Sequence, residues 1–177
     1  MHRLFVALRP PRPLRLQLLD LMGGVPGARW QNDDQLHLTL RFIGEVDAPQ
    51  AEDIAAALST VDHPRPDIAL SGVGTFDHKG HVHSLWAGIA ADDRLKTLHK
   101  RVERVVTGCG LPPEPRAFTP HVTIARLGRR AGSLDPFLAR AAGLASDPVT
   151  LDALFLFESH LGSEGPTYDA IARYPLR

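Results

Sequence analysis

Two short phrases pair a histidine with a threonine at the same spacing, His37-Leu38-Thr39 and His121-Val122-Thr123. Imidazole titrates near neutrality, so one ring can take a proton from water while another delivers one to a leaving oxygen. Threonine hydroxyls can donate hydrogen bonds to non-bridging phosphate oxygens. Two such pairs around one small site suit in-line attack on a strained phosphodiester without a metal. A single His-x-Thr is a weak signal. Here both copies sit in stretches that alternate apolar and polar residues, where positions i and i+2 share one face of a strand. The bland reading is two sheet-surface pairs, with threonine present for its β-propensity.

The elements that must position them follow from periodicity. Leu4–Leu8 reads as a strand stopped by Arg9-Pro10-Pro11, and Leu14, Leu18, Leu19 and Met22 recur at helical spacing up to Gly23-Gly24. Gln35–Ile43 alternates, with Leu36, Leu38, Leu40 and Phe42 on one face and His37, Thr39 and Arg41 on the other. An Ala-rich helix is expected over 51–61, then strands over 67–76 and 83–90 joined by Asp77-His78-Lys79-Gly80. The order then repeats: a helix through Leu95, Leu98, Val102, Val105 and Val106, a Pro-rich loop at 111–115, and a strand at 121–127. A short helix over 134–142 and strands over 149–158 and 167–173 complete the chain. Leu4-Phe5-Val6-Ala7-Leu8 matches Leu85-Trp86-Ala87-Gly88-Ile89 in its place ahead of a helix and a His-x-Thr strand. This reads as a duplicated β-α-β-α-β unit, with halves of roughly 1–80 and 81–177. The fold class is therefore α+β, with two lobes facing a central cleft in a single domain over 1–177, since no flexible linker divides the halves.

Composition narrows the function classes. The hydrophobic fraction of 44% is ample for a core. Twenty basic and twenty acidic residues cancel, which disfavours a protein that lives on non-specific nucleic-acid affinity. An RNA ligand would be gripped locally, at an end. Cys109 is alone, so neither an internal disulfide nor a cysteine-based zinc site is expected. No apolar run approaches membrane length, and the first residues are too short an apolar stretch for a secretory signal, so the expectation is a cytoplasmic monomer with no membrane partner.

Beyond the paired motifs, the chain resembles the two-histidine phosphoesterase superfamily, and within it the RNA 2′,3′-cyclic phosphodiesterases, also called 2′-5′ RNA ligases. The resemblance runs from Arg3-Leu4-Phe5-Val6-Ala7-Leu8 and Arg29-Trp30 through Leu36-His37-Leu38-Thr39-Leu40-Arg41-Phe42-Ile43-Gly44 and Leu85-Trp86-Ala87-Gly88. It continues through Phe118-Thr119-Pro120-His121-Val122-Thr123-Ile124-Ala125-Arg126 to Leu154-Phe155-Leu156-Phe157-Glu158-Ser159 and Tyr168–Leu176. It implies two lobes related by a pseudo-two-fold, with antiparallel sheets, and no metal or other cofactor. It also implies hydrolysis of a terminal 2′,3′-cyclic phosphate on RNA to a 2′-phosphomonoester, with His37 as proton donor and His121 as proton acceptor. The same chemistry reversed, with a 5′-hydroxyl in place of water, is 2′-5′ ligation. The physiological substrate stays open between RNA ends such as tRNA halves and a small cyclic nucleotide.

Thr39 and Thr123 are the candidate phosphate-binding hydroxyls. Arg41 alternates onto their face and is a further candidate, weighed against a solvated strand-end arginine. Arg126 belongs to the family-like phrase, yet strict alternation turns it away with Val122 and Ile124 unless a bulge re-aims it. His78, His81 and His83 with Asp77 resemble a metal cluster, but a solvent-facing loop entering a strand explains them better. Phe76, Phe118, Trp30 and Trp86 are core aromatics or platforms for an unpaired base, Phe76 and Phe118 being the ones to watch. His2, His63, His99 and His160 read as surface residues. Two competing functions remain: a metal phosphohydrolase built on the His78–His83 cluster, and a non-catalytic module that binds RNA ends or nucleotides.

Overall fold

The computed structural model describes residues 1–177. Strand β1 (His2–Leu8) carries five consecutive buried residues, Leu4 to Leu8, because it is covered on both faces and paired on both edges. Helix α1 (Arg12–Leu21) starts at the Pro11–Pro13 segment, where a missing N–H costs nothing. A three-residue strand β2 (Ala28–Trp30) and a 3-10 turn (Asp33–Gln35) precede β3 (Leu38–Val46). Helix α2 (Ala48–Leu58) is capped by Asp47, whose side chain accepts from Gln50 N at 2.9 Å. Strands β4 (Asp67–His78) and β5 (His81–Ala91) form a hairpin, and α3 (Asp93–Gly108), capped by Asp92, leads towards β6 (His121–Leu127). Helix α4 (Asp135–Ala141), β7 (Val149–Thr150), β8 (Ala153–His160) and β9 (Thr167–Pro175) follow. No helix is long and apolar enough to cross a membrane.

The strands form two antiparallel sheets, a four-stranded one in the order β3-β1-β8-β9 and a five-stranded one in the order β2-β6-β5-β4-β7. Each sheet draws on both sequence halves. β8 leaves the second half to pair with β1, and β4 leaves the first half to pair with β5. The two halves of the chain thus exchange strands, β4 into the second sheet and β8 into the first. One core cluster of 32 buried residues runs through both sheets and all four helices. On the opposite face of the first sheet, Phe5, Ala7 and Phe157 form a small aromatic layer.

Three features depart from the sequence expectations. The strand expected over 149–158 is two strands in different sheets, because Leu151 N bonds Pro66 O at 2.9 Å and Leu176 N bonds Asp152 O at 2.8 Å. β2 was not foreseen; it adds to β6 at the edge of the second sheet. The strand expected from Gln35 starts only at Leu38, since Asn32 and Gln35 close a reciprocal capping box that keeps Gln35 in a turn.

Gly88 sits opposite His121 in the β5–β6 register, and a Cβ there would lie 2.3 Å from the Ser71 carbonyl oxygen. Gly88→Ala is therefore expected to destabilise the fold by about 1–3 kcal/mol in denaturant unfolding. A change within error would show that the β4 backbone can retreat.

Candidate active site

His37 stands at the joint between the 3-10 turn and β3, and a dense set of bonds holds that joint. Arg9 donates to the carbonyls of Asp33 and Leu36, both at 3.0 Å, and Arg15 Nε donates to Asp33 Oδ1 at 2.8 Å. Gln35 Nε2 donates to Pro166 O at 2.8 Å. The Gln35 carbonyl so placed lies 2.7 Å from His37 Nδ1. A carbonyl oxygen only accepts, so Nδ1 carries the hydrogen and Nε2 is left without a protein partner. The second motif repeats the device: His121 Nδ1 lies 2.6 Å from Thr119 O, again two residues back. Both imidazoles are thus fixed in one tautomer by local backbone.

Aromatic rings wall both histidines. Phe5 lies 4.7 Å from the His37 ring and Tyr168 meets it edge-on at 5.1 Å. Phe76 meets His121 edge-on at 4.9 Å, and Trp86 lies 5.7 Å away, with its indole over Gly74, where a Cβ would come within 2.3 Å. Burial in these walls disfavours the charged ring. It pulls His37 down from 6.5 to about 4, against the Gln35 carbonyl and with help from Arg126, His121 and Arg9. His121 is lowered too, by burial and Arg126 against the Thr119 carbonyl.

Between those values the unfolded chain binds a proton at this position that the folded chain refuses. Stability contributed by His37 is therefore complete above 6.5 and is lost as pH falls towards about 4. The expected loss is about 3 kcal/mol, read as the difference between wild type and His37→Gln in denaturant titrations across that window. Parallel pH curves for the two proteins would refute it.

A bulge in each histidine strand decides what else faces the cleft. Val6 pairs Arg41 while Ala7 pairs Thr39, so Leu40 is the extra residue in β3. Leu85 pairs Ala125 while Trp86 pairs Thr123, so Ile124 is the extra residue in β6. In both strands two adjacent residues are consequently buried, Leu40 with Arg41 and Ile124 with Ala125, and the alternation changes phase. The residue five after each histidine, Phe42 or Arg126, then joins the cleft face.

This reverses the expectation for the two arginines. Arg126 faces the cleft, and its charge reaches His37, His121 and Tyr168. Arg41 is only 6% exposed and its guanidinium is taken up by the Glu103 carboxylate and the carbonyls of Pro112 and Phe42, so it is not free to bind phosphate.

Two cavities, of about 350 and 550 Å³, meet at His37, Thr39, Phe42 and Arg126. The smaller runs towards Trp30, Gln31 and Tyr168; the larger holds His121 and Thr123 and runs towards His99 and Phe118. All six candidate residues line the larger cavity, with the Arg41 guanidinium already taken up by Glu103 and Pro112. Phe118 lies flat on His99, with centroids 3.9 Å apart and planes at 4°, so His99 belongs to the cleft rather than to the outer surface. His63 is buried, bonded to Pro64 O at 2.8 Å. His78 and His81 pair across the hairpin tip while His83 lines the larger cavity, and no three potential ligands converge on a metal site. Phe42, Tyr168 and the two tautomer-setting carbonyls had no chemical signal in the sequence, since each acts through where the fold places it.

The family model described as the 2′-5′ RNA ligase superfamily matches residues 10–162. The chain belongs to this superfamily. Among curated members, the RNA 2′,3′-cyclic phosphodiesterase of Aeropyrum pernix is 33% identical over 151 residues, covering 84% of this chain and 85% of the relative. The fold matches that of TT0787 of Thermus thermophilus, with TM-score 0.79 and 24% identity over 99% of this chain and 98% of the other. It also matches Escherichia coli LigT complexed with 3′-AMP, with TM-score 0.77 and 20% identity over 99% and 98% of the two chains. This superfamily member therefore has the two-sheet architecture of those structures.

Proposed function

We propose that the chain hydrolyses 2′,3′-cyclic phosphate ends of RNA to 2′-phosphomonoesters, with His37 as proton donor and His121 as proton acceptor. The observation that carries this reading is the matched tautomer lock, which leaves two Nε2 atoms unpartnered on histidines that line one cavity with Arg126. The superfamily relatives named as RNA 2′,3′-cyclic phosphodiesterases support the substrate class.

The cyclic phosphate sits where the cavities meet, its non-bridging oxygens on Thr39, Thr123 and Arg126. Water attacks phosphorus and gives its proton to His121 Nε2 as the bond to the 3′-oxygen breaks. His37 Nε2 delivers a proton to that oxygen, and solvent exchange then resets both rings. His37 must be charged to donate, and the phosphate anion beside it raises its proton affinity from the low value of the empty cleft. The ribose stays attached to the leaving oxygen on the His37 side, so the nucleophile enters from the His121 side. The larger cavity on that side, about 550 Å³, admits more than water and favours a second reaction with a 5′-hydroxyl nucleophile, in which the 2′,3′-cyclic end is joined in a 2′-5′ linkage. A cytoplasmic setting, with RNA ends as partners, belongs to the same reading.

The test is incubation with an oligoribonucleotide ending in a 2′,3′-cyclic phosphate, in EDTA, beside His121→Ala. Product with a 2′-phosphate from wild type alone is the expected result. Tight binding with no product from wild type would overturn the enzyme and leave a module that holds RNA ends.

A further inference from the structure

The segment from Leu111 to Thr119 makes no backbone–backbone hydrogen bond, yet it ends in the carbonyl that fixes the His121 tautomer. Beside the stacking of Phe118 on His99, its hydrogen bonds to the body of the protein come from one ion pair, buried Arg41 with half-buried Glu103. Arg41 donates through Nη2 to Pro112 O and through Nη1 to Glu103 Oε1, and the same Glu103 oxygen accepts from Glu114 N at 2.9 Å. Arg41 Nε is itself held by Phe42 O at 3.1 Å, so the guanidinium orientation is set by β3. The strand that carries Thr39 thereby pins the segment that enters the strand of His121, across the two sheets.

An ion pair with a buried member gains little stability over apolar side chains of the same size, because desolvation offsets the attraction. This one also leaves Glu103 Oε2 buried without a partner. What it supplies is direction: two bonds, at Pro112 O and Glu114 N, on a loop with no backbone–backbone hydrogen bond of its own. We propose that Arg41 and Glu103 are positioning residues for His121, holding the 112–119 segment so that the Thr119 carbonyl keeps the proton on Nδ1 and Nε2 free for chemistry. Neither touches the substrate. The kinetic part of the inference rests on the proposed function, whereas the tautomer part does not.

The experiment compares the full chain with Arg41→Met, Arg41→Lys and the double variant Arg41→Met/Glu103→Leu. The double variant removes both charges together, leaves no unpaired buried ion, and is the one expected to fold if Arg41→Met does not. Nitrogen-15 spectra of the histidine rings report the His121 tautomer without substrate. Wild type is expected to show the Nδ1–H form alone. The Met variants are expected to show a mixture, with kcat on a 2′,3′-cyclic phosphate down about ten- to a hundredfold and KM changed less than about threefold. Arg41→Lys, able to reach Glu103 or Pro112 O but not both, should recover part of each signal. A folded double variant with His121 still wholly Nδ1–H would overturn the inference. If wild type turned over no cyclic phosphate, the proposed function would fall while the spectra would still decide the positioning role.

Discussion

Alanine at His121 is expected to lower kcat on a 2′,3′-cyclic phosphate end by about 10²–10⁴-fold, with far-ultraviolet dichroism and cooperative unfolding preserved. The magnitude follows from what is lost: a base with one nitrogen locked to Thr119 O and the other free beside Thr123. Water would have to surrender its proton to bulk solvent in the transition state. The fold should survive because His121 begins β6, whose anchoring residues Val122, Ile124 and Ala125 are fully buried and untouched. His37→Ala is expected to fall in the same range, through an unprotonated leaving oxygen. The two losses should not add in the double variant, because the rings act on one transition state. A residual rate within tenfold of wild type for either single variant would remove that histidine from the chemistry.

Arg126→Met is the second large effect. Arg126 is the cationic side chain at the junction of the two cavities whose charge reaches both histidines. Charge placed where phosphate oxygens gather negative charge is worth several kcal/mol in a half-enclosed site. A fall in kcat/KM of about 10²–10³-fold is expected. A second readout separates this from collapse of the site. Burial holds both imidazoles below their ordinary pKa and the Arg126 charge adds to it, so removing that charge should move both upward, the direction opposite to that expected from greater solvent loss. Proton NMR titration of the His37 and His121 ring signals measures this directly. Unmoved titrations with normal turnover would place Arg126 on the rim, solvated and idle.

The histidine strands were readable because a His-x-Thr phrase in an alternating stretch states its own geometry, and because the phrase occurs twice. The strand exchange was not readable, since Leu85 to Ile89 declares itself covered without naming the strand that covers it. The arginines show the limit most sharply. Leu38-Thr39-Leu40-Arg41 continues the alternation without a break in the residue types, whereas Ile124-Ala125 sets two apolar residues together before Arg126. Nothing in the first announces the extra residue that turns Arg41 inward, and the doublet in the second is the one sign of the shift that turns Arg126 outward; the registers with β1 and β5 show both. For Arg126 the phrase Ala125-Arg126 in its family-like context was a better guide than periodicity. The pinning of the 112–119 segment lay in residues 41, 103, 112 and 114, far apart in the chain and joined only by the fold.

The exchanged strands also limit how the cleft can breathe. The chain passes from the first sheet to the second after β1, back before β3, over again before β4 and back between Thr150 and Ala153. A hinge works where one or two connections flex while two bodies swing apart. Four crossings stitch these bodies like a laced seam, so swinging the sheets apart would strain all four connections at once. Any widening of the cleft is therefore expected at its rim, where Leu161, Glu164, Gly165 and Pro166 edge the smaller cavity, rather than by rotation of one sheet against the other.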